Sequence, residues 1–265
     1  MDSMAMFRGG QGEPLVLLHG FTDTWRGWTP VLPELSVHHE LFAWTLPGHH
    51  GGEPWDLSIP VTIAALADSV ERQLDVLGLD QAHFAGNSLG GWLSLEMAAR
   101  GRARSVVGVC PALGWERGSK EERQVARFFR RSQMLVRRFG RQLPLVARHP
   151  TLRRIAMHDA VADGRKIPAD AALAMFHGVK GCSILTDGLA LMGQHEPFEL
   201  GPIGCPVRIL YGTRDRILRW PGHYQHMRQQ LPDADWVGLV GLGHIPMWDA
   251  PDVVARAILE HISAA

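Results

Sequence analysis

Short, uniformly apolar runs alternate along this chain with longer stretches in which apolar residues recur every three or four positions. The run at residues 14–18 (Pro-Leu-Val-Leu-Leu) is uniformly apolar and suits a strand covered on both faces, 105–110 is another candidate buried strand, and 40–44, 82–85, 206–211 and 235–240 read as further strands. A further strand is expected at residues 4–8, ahead of the turn Gly9-Gly10-Gln11-Gly12. Helical spacing runs from Val61 through Ile63, Leu66, Val70, Leu74 and Leu77 and closes at Gly78, a residue suited to a helix C-terminus. Residues 92–100, 222–231 and 251–262 read as further helices, the last opened by Pro251, and residues 25–35 as a short helix interrupted by Pro30 and Pro33. Strands that alternate with helices must pair in parallel through helical crossovers on both faces. The expected fold is therefore α/β, with a mostly parallel central sheet.

The alternation lapses once. From about Leu113 to Gly193 there is no strand pattern, only arginine-rich and alanine-rich helical stretches broken at Pro144, Pro150 and Pro168. Residues 1–112 and 194–265 are thus expected to form one core domain, and residues 113–193 a helical cap inserted over the carboxyl ends of the strands. Twelve arginines and lysines fall between Glu116 and Arg154 against three acidic residues, although the whole chain of 265 residues has a formal charge of +0. Overall neutrality argues against a protein built to coat nucleic acid. Such a charge run is either a solvated helical face or a docking surface for an acidic partner.

Composition narrows the class without identifying it. With 46% apolar and 20% charged residues the chain reads as soluble and globular, and no apolar run reaches the length of a membrane span. The first eight residues carry no secretory pattern, and Cys110, Cys182 and Cys205 are odd in number and too widely spaced for paired metal ligands. Free thiols in a reducing cytoplasm are the expectation.

The chemistry is concentrated at Gly86-Asn87-Ser88-Leu89-Gly90-Gly91, where an apolar strand meets a helical run. This is the Gly-x-Ser-x-Gly pattern of a sharp strand-to-helix turn, in which glycines two positions before and after the serine avoid collision with the adjoining elements. Ser88 would project into a cleft, and the Leu89 N–H, in the first helical turn, would face the same space. A serine hydroxyl needs a base and a carboxylate to hold that base. Asp215 follows the strand at 206–211 and His244 follows the strand at 235–240, so both are expected at the carboxyl edge of the sheet with Ser88.

Together these segments resemble the α/β-hydrolase fold family, in its serine-nucleophile branch of esterases and carbon–carbon bond hydrolases, from about Pro14 to the C-terminal helix. His19-Gly20-Phe21 resembles the family's oxyanion loop, Gly212-Thr213-Arg214-Asp215 its acid loop, and Gly243-His244-Ile245-Pro246 its histidine loop. The resemblance implies a Ser88–Asp215–His244 triad, an oxyanion hole of the Phe21 and Leu89 N–H groups, and a cofactor-independent acyl-enzyme mechanism acting on a carboxylic ester, lactone or thioester. Two departures stand out: Arg219 where the acid loop usually has proline, and Asp249 where the histidine loop more often has glutamate. Serine rather than aspartate at the elbow argues against dehalogenase and epoxide hydrolase chemistry.

Other readings remain at this stage. The elbow is similar to that of meta-cleavage-product hydrolases, yet those commonly carry His-Gly-x-Gly-Pro-Gly at the oxyanion loop and Trp after the catalytic histidine, where this chain has His19-Gly20-Phe21-Thr22-Asp23-Thr24 and Ile245. A binding protein that retains the fold as a sensor is the alternative outside enzymes. Trp25, Trp28 and Trp92 flank the motif loops and are candidate pocket residues. Of fourteen histidines most must be bland: His19 is expected to hydrogen-bond within the oxyanion loop, and His49 and His50 lack metal-site spacing. No metal is expected. Asp159, Asp187 and Glu196 compete for the acid role but follow no strand. The basic insertion resembles that of pimeloyl-carrier methyl esterases, which implies an acyl carrier protein or coenzyme A as the acidic partner.

Overall fold

A computed structural model describes residues 5–113, 118–191 and 200–265. Seven strands are joined in one sheet in the order β1-β3-β2-β4-β5-β6-β7: β1 (Met6–Gly9), β2 (Pro14–Leu18), β3 (Glu40–Trp44), β4 (Ala82–Asn87), β5 (Ala103–Val109), β6 (Val207–Gly212) and β7 (Asp235–Leu239). All neighbours pair in parallel except β1, which runs antiparallel to β3 with Met6 opposite Trp44. β1, the edge strand, can do so because residues 10–13 carry the chain from it past β3 to β2 without a crossover helix.

The apolar runs divide between two cores by the two-residue period of a strand. Along β2, Val16 and Leu18 enter one core with Phe84 and Val106, while Leu15 and Leu17 enter the other with Ala85 and Val107. The first core is roofed by α2 (Ile63–Leu77) and α3 (Leu89–Ala99). The second is roofed by α1 (Leu32–Leu35), by the 3-10 turn at Trp25–Trp28, and by α11 (Pro251–Ser263) through Val254, Ile258 and Ile262. Each such side chain contributes roughly 1.5–3 kcal/mol on burial. The helix at α2 begins where Thr62 accepts the Ala65 N–H at 3.1 Å and ends at Gly78 with φ 71°.

Between β5 and β6 the described chain is helical: α4 (Lys120–Arg138), α5 (Leu143–Arg148), α6 (Pro150–Ala156), α7 (Ala169–Gly181) and α8 (Leu185–Leu191). Pro144 and Pro150 lie in the first turns of α5 and α6, and Pro168 caps α7, so each of the three opens a helix rather than merely breaking one. This insertion has a small core of its own, Ala147, Met157, Val161, Ile167 and Ala172, against which Ile245 and Trp248 pack from the loop after β7. The expected helix at 222–231 is a 3-10 turn, Gly222–Tyr224, followed by α9 (Gln225–Gln230), and α10 (Pro246–Asp249) lies just before α11. The expected boundary at 193/194, Met4, Arg117 and Glu196 lie outside the described residues.

Candidate active site

The carboxyl ends of β2, β4, β6 and β7 bring His19, Ser88, Asp215 and His244 to one edge of the sheet. Ser88 sits at φ 53° and ψ −114°, outside the regions an ordinary residue prefers. Strain of this kind costs about 1–3 kcal/mol and persists only where the surroundings impose it. Here they do: the Ser88 N–H donates to the Val109 carbonyl at 3.0 Å, and the Ser88 carbonyl accepts from Ala112 at 2.9 Å and Trp92 at 3.2 Å. The flanking glycines are required by contact, since a Cβ on Gly86 would stand 2.1 Å from the Gly90 carbonyl oxygen, and one on Gly90 2.1 Å from that of Leu18.

Asp215 is enclosed and fully engaged. Its Oδ1 accepts the N–H groups of Ile217 and Leu218, each at 2.8 Å, and its Oδ2 accepts from His244 Nδ1 at 2.7 Å. Three donors suit an ionised carboxylate. They place the His244 proton on Nδ1 and leave Nε2 free as a base. Ser88 and His244 line the same cavity, although no Ser88–His244 hydrogen bond is formed among the described residues. Such bonds often tighten only with substrate in place.

The loop after β2 is aimed by His19. The Leu46 N–H donates to His19 Nε2 at 2.9 Å, so the ring carries its proton on Nδ1 and donates it to the Gly20 carbonyl at 2.8 Å. Burial, with His49 alongside, pushes the His19 pKa well down and keeps the ring neutral. Asp23 N–H donates to the same carbonyl at 3.0 Å. A planar trans peptide whose oxygen is held on one side directs its N–H, that of Phe21, to the other. Neither the Phe21 nor the Leu89 N–H has a protein acceptor among the described residues.

The cavity holds about 380 Å³ and is walled mainly by apolar side chains of the insertion, among them Phe128, Phe129, Phe139, Met175 and Phe176. Its described polar lining is confined to Thr22, Asp23, Asn87, Ser88, Ser132, Asp159 and His244, and no arginine or lysine among the described residues faces it. The three tryptophans expected in the pocket do not line it. Trp28 is fully buried in the second core, Trp25 lies in that core stacked on Phe7 at 5.8 Å, and Trp92 packs against the first core. Their large indoles fill the space between sheet and helices instead.

Sequence reasoning missed two braces. Asn87 Nδ2 donates to the carbonyls of Val109 and His244, both at 3.0 Å, tying the elbow to the histidine loop. Asp249 accepts the Gly243 N–H at 2.8 Å and the Ala162 N–H at 2.9 Å, and Ile245 N–H donates to Ala160, so the insertion is fastened to that loop as well. The signal for Asn87 was a polar residue closing an otherwise apolar strand. Asp159 instead pairs with His158 at 3.0 Å, and Asp187 is exposed, so neither meets His244. Cys110, Asp215 and His244 have potential ligand atoms within 4.8 Å of one another. They do not suit a metal: Asp215 already takes three donors, and burial pushes the Cys110 thiol far above the usual thiol range.

A seven-stranded, largely parallel sheet with a serine on a strained strand-to-helix turn defines the α/β-hydrolase class. The chain belongs to the alpha/beta hydrolase family, whose model matches residues 15–257. It is 35% identical over 208 residues to the epoxide hydrolase EphH of Mycobacterium tuberculosis, covering 75% of this chain and 94% of that protein. It is 27% identical over 262 residues to the pimeloyl-[acyl-carrier protein] methyl ester esterase of Xanthomonas campestris, covering 96% and 97%. Among solved structures, a bacterial membrane phospholipase A superposes with a TM-score of 0.74 at 24% identity, over 98% of this chain and 83% of that one. These relatives make the chain an enzyme of the hydrolase type. Among the described residues no helix is long and apolar enough to cross a membrane.

Proposed function

We propose that this hydrolase cleaves a carboxylic ester, lactone or thioester with an apolar acyl part, through an acyl-enzyme on Ser88. The observation that carries the reading is the Asp215–His244 pair at 2.7 Å on the wall of the cavity that Ser88 also lines. His244 Nε2 takes the hydroxyl proton as Ser88 Oγ attacks the carbonyl carbon, and Asp215 stabilises the resulting imidazolium. The oxyanion rests on the Phe21 and Leu89 N–H groups. As the tetrahedral species collapses, the carbon–oxygen or carbon–sulfur bond breaks and the imidazolium protonates the leaving group. Water, deprotonated by His244, then attacks the acyl-enzyme and releases the acid and Ser88. No cofactor enters this scheme.

Chemistry favours this reading over the alternatives. Attack of a serine alkoxide on an epoxide would leave an ether, which water does not cleave, whereas an acyl ester is turned over. The activity in the name of the M. tuberculosis relative is therefore not carried over. Carbon–carbon cleavage of a meta-cleavage product requires an anionic dienoate in the cavity, and the only ionisable side chains of its described lining besides His244 are the carboxyls of Asp23 and Asp159.

The insertion acts in this reading as a cap, and its arginines as a dock for an acidic carrier. Arg127, Arg130, Arg131, Arg137, Arg141 and Arg148 make no ion pair among the described residues, which leaves their charge available to a partner. An acyl carrier protein or coenzyme A supplies the matching charge. Free thiols, with burial raising Cys182 to about 12 and partial burial raising Cys205 to about 11, fit a cytoplasmic setting. The test is hydrolysis of p-nitrophenyl esters of graded chain length, with fluorophosphonate labelling. Turnover by wild type and none by Ser88→Ala supports the proposal. Labelling of Ser88 without turnover of any ester or thioester would favour a sensor instead.

A further inference from the structure

Of the two carboxyls on the described cavity lining that the proposed reaction does not use, Asp159 pairs with His158 and Asp23 has no such partner. Asp23 lines the cavity two residues beyond Phe21, on a turn closed by its own N–H to the Gly20 carbonyl at 3.0 Å. Gly20 in turn abuts the elbow, for a Cβ there would stand 3.2 Å from Ser88 Cβ. Asp23 therefore borders the space that an ester bound at Ser88 would fill. Its Oδ1 accepts the Thr24 N–H at 2.8 Å, whereas its Oδ2, in the space that a Cβ on Gly27 would need, receives no hydrogen bond from any described residue.

Among the described residues no cation compensates this carboxyl. From the 3-10 turn beside it, Arg26 stacks its guanidinium over Trp25 at 4.7 Å. From α7, which touches Thr22 and Asp23 through Gly178, His177 faces His50 and Lys180 lies 3.9 Å from where a Gly140 Cβ would stand. Asp159, elsewhere on the cavity lining, bonds His158, and His244 is committed to Asp215. An acid so placed holds its proton, and loss of hydration raises the Asp23 pKa to about 7. Below that pH the group is a hydrogen-bond donor in an apolar wall.

We infer that Asp23 is a specificity-determining residue that donates a hydrogen bond from its protonated carboxyl to an uncharged keto or amide oxygen on the substrate, near the ester. The preferred class is then an oxo- or amido-substituted acyl ester rather than a plain alkanoate or a carboxylate-bearing one. This deepens the hydrolase reading and rests on it for the placement of the ester, so the test separates the two. Binding is measured with Ser88→Ala protein, using ethyl octanoate and ethyl oxooctanoates whose keto group is moved stepwise along the chain. Hydrolysis of ethyl octanoate by the wild type tests the catalytic reading independently.

At pH 6 one or more oxo esters should bind about tenfold tighter than ethyl octanoate. That preference should fade as the pH rises to 8.5 and Asp23 loses its proton. Adding Asp23→Asn, which donates at every pH, should keep the preference and remove its pH dependence. Adding Asp23→Leu should abolish it at all pH values. The inference is overturned if no oxo ester is preferred, or if Asp23→Asn shows the same pH dependence as Asp23. A merely structural carboxylate would not make ligand preference follow the proton in this way.

Discussion

Replacing His19 with alanine perturbs the proposed oxyanion hole without touching either backbone donor. The imidazole bridges two groups: it accepts the Leu46 N–H at 2.9 Å and donates to the Gly20 carbonyl at 2.8 Å. Its loss leaves the buried Leu46 N–H without an acceptor, which costs about 1–3 kcal/mol of stability. The Gly20 carbonyl keeps only the Asp23 N–H at 3.0 Å, so the Gly20–Phe21 peptide is free to swing. Complete loss of one oxyanion donor raises the barrier by about 3 kcal/mol, a factor of 10²–10³ in kcat. With one restraint remaining, a fall of about ten- to a hundredfold is expected. The decrease should lie in kcat rather than KM, because charge on the oxygen develops only in the transition state. Steady-state kinetics on a p-nitrophenyl ester, with urea unfolding of the same samples, separates the two effects. A variant destabilised as expected but with kcat within about twofold of wild type would refute the argument that His19 aims the Phe21 N–H.

Further outcomes follow from the same contacts. Gly90→Ala places a Cβ 2.1 Å from the Leu18 carbonyl oxygen and should destabilise the fold by roughly 3 kcal/mol or more, read in urea melts; a shift under about 1 kcal/mol would show that the elbow can relax. Asn87→Ala removes two donors at 3.0 Å and should lower kcat more than stability, by about tenfold, since it frees the His244 loop; unchanged kcat would assign Asn87 to the fold alone. Burial holds the His49 pKa at about 4, below its unfolded value of 6.5, so the unfolded chain binds the extra proton and stability is lost as pH falls from about 6.5 to 4. Asp23 titrates with the opposite sign, its raised pKa costing stability as pH rises toward 7, so the comparison is with His49→Gln. Wild type should lose up to ~3 kcal/mol more than that variant between pH 7 and 4, and parallel curves would contradict the assignment.

What the sequence disclosed was what local pattern determines. Uniform apolar runs announced strands buried on both faces, and β2 sends alternate residues into two cores as that reading requires. The elbow was legible because contact geometry permits little but glycine at positions 86 and 90. The tryptophans were misread because flanking a motif says nothing of side-chain direction: Trp25 and Trp28 follow the loop after β2 yet lie in the second core. Asn87 and Asp249 were invisible as braces because their partners, His244 and Ala162, are 157 and 87 residues away. Asp23 carried no signal because the cavity it lines is walled largely by helices of the insertion, remote from it in sequence.

The most direct test of the account is rapid-quench mass spectrometry of the protein mixed with an excess of p-nitrophenyl octanoate. Nucleophilic attack by Ser88 predicts one equivalent of an octanoyl adduct on the peptide containing Ser88, formed as p-nitrophenolate is released and absent from Ser88→Ala. Turnover at an undiminished rate by Ser88→Ala, or an adduct on any other residue, would contradict it.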